Sequence, residues 1–333
     1  MVGLHKKIFT VMLILFISKS YSKGIKCHRS LILMGSKFDI TVITEDKKSG
    51  TKYINMATNE IKRIEGIISS WNKNSQTSEI NKFAGIKPVQ ISQELFDLII
   101  RSKHISKVTD GAFDITYASI DKIWKFDGSM TKFPKEEDLK QSISRVGFEK
   151  IVMDSAKRTV FLPEIGMKIG FGAIGKGYAA DKVRDLLENH GVVAGIINAS
   201  GDLTTWGNQE SNKPWMVGIT NPLNKEKVFS WFAMNNNSVV TSGNYEKYVK
   251  FNNKLYSHII DPRTGHPAKG VVSVSVFAPK AELADALATG IFVMGIEPGI
   301  NLVNQLENID CIFIDKNGNI HKSENIKFER VKR

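Results

Sequence analysis

Only two cysteines, Cys27 and Cys311, occur in the 333 residues, which excludes a disulfide framework and a thiolate metal site. A single bridge between the two stays open, although Cys311 sits in an apolar strand-like run and reads as core packing. No repeat, proline-rich linker or low-complexity stretch divides the chain, so one intertwined domain is the simplest organisation. Lys and Arg outnumber Asp and Glu by 46 to 34, yet no dense basic block interleaved with aromatics is present. A nucleic-acid groove is therefore excluded, and small polyanions or acidic surfaces are the better partners. The apolar run 8–17 is about half as long as the roughly 20 residues that a membrane-spanning helix needs.

That run has another reading. Lys6 and Lys7 precede it, and Ser18, Lys19, Ser20, Tyr21 and Ser22 follow, the pattern of a secretory signal with small residues at its cleavage site. Residues 1–22 are thus expected to be a signal peptide and 23–333 the domain, exported to a periplasmic location. Loss of Lys6, Lys7 and Lys19 lowers the formal charge from +12 to +9. Cys27 follows Lys26 instead of a small residue, so a lipid anchor at the inner membrane is the lesser alternative.

With 42% hydrophobic and 24% charged residues, the remainder has an ordinary globular composition. Helical spacing marks 53–68, a stretch after Ser92, 176–190, 281–294 and 299–306. Strand patterns mark 38–44, 151–153, 160–162, 167–169, 193–197, 215–219, 239–241, 256–260 and 271–277. The sum is a mixed α/β fold with much antiparallel sheet.

Four clusters carry candidate chemistry. Gly172-Ala173-Ile174-Gly175-Lys176-Gly177-Tyr178 joins a strand to a helix, where small residues, free amides and the Lys176 ammonium suit a phosphate. Thr109-Asp110-Gly111-Ala112-Phe113-Asp114 is a loop in which Phe113 can meet a flat ring, or in which Asp114 caps its own backbone. His258, with Asp261 to orient it, can accept a hydroxyl proton near neutrality. Asp285 and Thr289 share one face of an apolar helix and offer oxygen to a hard cation, with helix capping by Asp285 as the alternative.

In this order, with Met34-Gly35, Ser70-Trp71, Ser78-Glu79-Ile80-Asn81 and Gly201-Asp202-Leu203, the clusters resemble the ApbE family of FAD:protein FMN transferases over most of residues 34–295. The resemblance implies a T-fold-like single α/β domain of mixed, largely antiparallel sheet. It implies that Met34, Trp71, Ala112, Phe113, Asp114, Lys176 and Ile259 line FAD, and that magnesium is held by the Ala173 carbonyl, Asp285 and Thr289. Gly170 stands where the family usually presents an aspartate to FAD, and Ser200 where it has a glycine. The implied reaction is attack of an acceptor Thr or Ser hydroxyl on the FMN phosphorus, with AMP leaving; acceptors would be exported flavoproteins such as subunits of membrane redox complexes. Water in place of the hydroxyl would give an FAD pyrophosphatase, and a pocket without metal a flavin-binding protein.

Overall fold

The protein was analysed as a computed structural model, which describes residues 24–326 except 121, 122, 127, 128, 131, 223, 246, 247, 252 and 253. The expected signal peptide, residues 1–22, lies outside the described residues.

The frame is an eight-stranded sheet. In spatial order its strands are Ile25–Leu33, Ser36–Thr44, Ala194–Ala199, Asp202–Trp206, Ser238–Gly243, Val271–Ala278, Asp310–Asp315 and Ile320–Lys322. Every neighbouring pair is antiparallel. The first strand has no counterpart in the sequence reading, because both its faces carry polar side chains and only Leu33 is fully buried. Met34 consequently lies inside a hairpin and not ahead of the first strand. Met34 (φ +50°) and Gly35 (φ +68°) are both left-handed, as a two-residue turn matched to strand twist requires.

Seven helices are described: α1 (Lys47–Ile68), α2 (Gln76–Lys82), α3 (Gln93–Val108), α4 (Glu136–Ile143), α5 (Gly175–Asn189), α6 (Ala281–Met294) and α7 (Ile296–Val303). The buried stripe Ile54, Ala57, Ile61, Ile64 and Ile68 makes α1 helical, but the helix starts well before it, at Asp46, whose carboxylate accepts from the Ser49 amide. Helix α7 starts three residues earlier than its spacing suggests, because Gly295 (φ +91°) ends α6 and opens α7 in one step.

Helices α1, α5 and α6 lie side by side on one sheet face, α1 over the first two strands, α5 over the next two and α6 over Ser238–Gly243 and Val271–Ala278. The hairpin Trp215–Asn221/Asn224–Met234 covers the other face, burying Trp215, Val217 and Ile219 against Val239, Phe277 and Ile312. Burial on both faces makes the sheet a rigid floor. Both cysteines are free. They occupy the first and seventh strands of the sheet, which at about 4.8 Å per strand puts them roughly 25–30 Å apart and excludes a bridge.

The expected strand at 167–169 belongs to none of the sheets. Its alternation is real, with Met167 and Ile169 buried, but side chains replace a neighbouring strand. Asn81 donates to the Ile169 carbonyl (2.9 Å) and accepts from its amide (2.8 Å). The Ser119 hydroxyl does the same for Lys168, and the Gly170 amide donates to the Ile115 carbonyl. This clamp aims the following loop, 170–175, at the start of α5.

Candidate functional site

Helices α5 and α6 run antiparallel and touch through backbone. A Cβ on Gly177 would stand 2.2 Å from the Ala281 carbonyl oxygen, so glycine alone permits the approach. The Gly177 amide donates to the Asp285 carboxylate at 3.1 Å. In an uninterrupted helix that amide would bond the Ala173 carbonyl; among the described residues no backbone amide outside the regular ladders does so. Asp285, only 4% exposed, is thereby tied to the first turn of α5, and the part-buried Thr289 lies one turn further along α6.

No cluster of three His, Cys, Asp or Glu side chains exists among the described residues. One carboxylate, one hydroxyl and one carbonyl make an all-oxygen donor set that fits magnesium, a hard cation that keeps several of its waters and binds through one or two carboxylates.

One turn along, the Asp181 carboxylate accepts from the Ala281 and Glu282 amides, both at 2.9 Å. Helix α6 has no cap of its own, so α5 supplies it. Burial raises the Asp181 pKa to about 6, against the pull of these two amides. The folded state therefore holds this proton more tightly than the unfolded chain, and charging the group costs stability on the order of 3 kcal/mol above that pKa. Wild type should gain stability over Asp181→Asn as the pH falls from about 6 toward 4, as parallel thermal melts across that window would show.

Lys176 is not a loose surface cation. Its ammonium pairs at 2.8 Å with Asp202, which is 1% exposed and opens a strand just after the Ser200-Gly201 turn. Ser200 holds the left-handed conformation (φ +54°) that glycine would take without strain, and its hydroxyl donates to the Lys37 carbonyl.

Several expected residues surround the 170–175 loop. The Met34 methyl would lie 3.7 Å from a Cβ on Gly175, and the Met34 amide donates to Glu65. Ser70 and Tyr117 hydroxyls flank Gly170, and the neighbouring Trp71 is 80% exposed. Phe113, expected to meet a flat ring, is 2% exposed in the core with its Cβ against Gly290 of α6, and Ala112 is buried beside it. Asp114 takes the capping alternative, accepting from the Thr116 amide and hydroxyl and from the Phe148 amide. Burial pushes its pKa up. It also borders a cavity of about 260 Å³ with Asp110, Gly147 and Arg263.

His258 follows the strand Lys254–Ser257, part-buried, with the Phe126 ring edge-on at 6.4 Å. Asp261, expected to orient His258, is held by a cation of its own. Asp261 pairs through both oxygens with the Arg263 guanidinium, each at 2.9 Å, and also accepts from the Arg263 amide. A forked guanidinium satisfies a carboxylate better than one imidazole N–H can. Ile259 is 9% exposed, its carbonyl accepting from the Ala268 amide.

The four clusters form one contact chain: α5 meets α6 at Gly177, α6 meets Thr109 and Phe113 at Gly290, and Gly111 meets Arg263. Sequence reasoning assigned no role to Asp181, Tyr117 or the Asn81 clamp. Only Asp181 left a signal, four residues after Gly177 and so on the same face of α5.

This order of elements and contacts is that of a known group of proteins. The chain matches the ApbE family over residues 34–313. It belongs to that family. An ApbE relative from Klebsiella pneumoniae (strain 342), an FAD:protein FMN transferase, is 32% identical over 293 residues, covering 87% of this chain and 90% of the relative. The FAD:protein FMN transferase of Treponema pallidum (strain Nichols) is 31% identical over 281 residues, 80% of this chain and 78% of that one. Among solved structures, the ApbE protein of Thermotoga maritima superposes with a TM-score of 0.83 at 28% identity, covering 90% of this chain and 97% of its own. The ApbE flavin transferase of Vibrio cholerae gives 0.80 at 25% identity, covering 90% and 98%.

Proposed function

We propose that this ApbE-family protein is a magnesium-dependent flavin transferase that moves FMN from FAD to a Thr or Ser hydroxyl of another protein. The observation that supports the reading is the Gly177 amide turned onto Asp285, which ties that carboxylate to the start of α5; the Ala173 carbonyl, Asp285 and Thr289 are the residues that would hold the metal. Magnesium, when bound there, neutralises pyrophosphate charge and stabilises the leaving oxygen. Lys176, anchored by Asp202, supplies a further positive contact to phosphate at the helix start. The acceptor oxygen forms a bond to the FMN phosphorus, the bond from that phosphorus to the bridging oxygen breaks, and AMP departs with that oxygen. His258 takes the hydroxyl proton.

Export to the periplasm is part of the same reading, supported by the 6–22 pattern, and the acceptors are exported flavoproteins, including subunits of membrane redox complexes. Cys27 argues against a lipid anchor: it is the third residue of the first strand, and its sulfur would stand 2.2 Å from a Cβ on Gly50 of α1.

The test is incubation of the mature chain with FAD, magnesium and a candidate exported flavoprotein, followed by the acceptor's mass. An FMN adduct is the expected result, lost in His258→Ala. Free FMN and AMP without adduct would show water as the acceptor and overturn transfer; full activity in His258→Ala would remove the histidine's role.

A further inference from the structure

The turn that follows α2 carries an exposed apolar surface. Ile86 and Ile165 are 68% and 82% exposed, and they are neighbours, because a Cβ on Gly85 would stand 2.5 Å from the Ile165 Cγ1. The Gly85 amide donates to the Leu162 carbonyl at 2.7 Å, which ties the turn to the end of the strand Thr159–Phe161. Beside them the part-buried Phe83 ring lies under two ammonium groups, that of Lys87 at 4.4 Å from its centroid and that of Lys82 at 5.5 Å. Isolated exposed aliphatics are ordinary on a protein surface. Adjacent ones that share a rim of charge mark a contact site.

That rim has one sign. Between residues 72 and 88 the charged side chains are Lys73, Lys82 and Lys87 against the single acid Glu79. Glu164, next to Ile165, is already paired with Lys150 at 2.8 Å. The surface also adjoins the candidate site: α2 leads from the Trp71 loop to Phe83, about 10 Å for its length, and Asn81 in its last turn holds Ile169 of the segment that enters α5.

We propose that Phe83, Ile86 and Ile165, with Lys82 and Lys87, dock the acceptor protein of the transfer reaction by seating an apolar side chain flanked by carboxylates on that protein's surface. This rests on the reading of the chain as a transferase. An enzyme whose second substrate is a protein gains by holding it at contacts remote from the reacting hydroxyl. The apolar residues supply the area, and the lysines select an acidic partner and speed its approach. Apolar side chains among lysines also suit an anionic bilayer. Their place at the end of the helix that leaves the Trp71 loop favours a protein that must reach the flavin over a lipid surface that need not.

The experiment follows FMN transfer to an exported flavoprotein that the wild type labels, over a range of acceptor concentration, for wild type, the pair Ile86→Ser with Ile165→Ser, and the pair Lys82→Glu with Lys87→Glu. In each double variant the KM for the acceptor should rise about tenfold, the scale of losing one strong interface contact, with kcat held within about twofold. FAD affinity, read from quenching of flavin fluorescence, should not change. All four side chains are exposed, so thermal melts should match wild type. Added salt should raise the wild-type KM and leave that of the charge-reversed variant unchanged or lower. An unchanged KM in both variants overturns the proposal, and so does a parallel loss of FAD affinity, which would place these residues in the nucleotide site. Wild-type binding to phosphatidylglycerol vesicles that the variants lose, with the acceptor KM intact, would assign the surface to a membrane and overturn it as well. Wild type that splits FAD yet labels no acceptor removes the transferase reading itself, a result distinct from the others.

Discussion

Replacing Asp285 by alanine should lower flavin transfer at least a hundredfold. It is the single carboxylate among the proposed magnesium ligands Ala173, Asp285 and Thr289, and it accepts the Gly177 amide at 3.1 Å. A metal that stabilises transition-state charge contributes several kcal/mol, which at 1.36 kcal/mol per decade is about two to three orders of magnitude in rate. Alanine confounds two effects, since it also leaves a buried amide without its acceptor. Asp285→Asn separates them: its side-chain oxygen still receives the Gly177 amide, so the variant should melt close to wild type while remaining as inactive as alanine. Single-turnover formation of the acceptor adduct over a magnesium series would report this. An asparagine variant keeping more than about a tenth of the wild-type rate would contradict the metal assignment.

Gly177→Ala should be the most damaging single methyl that can be added to the protein's site. The new Cβ would stand 2.2 Å from the oxygen and 2.6 Å from the carbon of the Ala281 carbonyl, both backbone atoms that no rotamer change can move aside. Helices α5 and α6 must separate, at a cost of about 3 kcal/mol, the upper end for overpacking. The melting temperature should fall by roughly 5 °C or more. Activity should fall further than stability, because the same separation takes the Ala173 carbonyl and Lys176 away from Asp285. Gly66→Ala on α1, where nothing lies within 4 Å of the added Cβ, is the control and should be neutral or slightly stabilising. Equal melts for the two variants would mean that the helices are not held as close as described.

The contrast between these two glycines shows where the sequence was legible. Apolar spacing located α1 and α6, since burying a stripe of Ile and Ala is a local property of the chain. The same reasoning found Asp285 and Thr289, which share a helix face, and the loop before Lys176. It missed the first strand, where Lys26, His28 and Ser30 alternate with side chains only part-buried, so no contrast marks the period. It treated 167–169 as a sheet strand because alternation records burial and not the identity of the hydrogen-bond partner, here Asn81 and Ser119. It gave Arg263 no part, although that residue, two positions after Asp261, holds the carboxylate with a forked pair. Asp181 capping a helix 100 residues away cannot be seen from either segment alone. Long-range pairing was carried instead by the family resemblance.

The Asn81 and Ser119 clamp has one further consequence. A strand within a sheet cannot detach without breaking a cooperative ladder, and its opening energy approaches that of the whole domain. The 167–170 segment is fastened instead by two side chains and one carbonyl, with Met167 and Ile169 packed into the core, so its hydrogen bonds belong to no ladder. Loss of Asn81 or Ser119 would therefore loosen the loop that leads into α5 while leaving the eight-stranded floor intact.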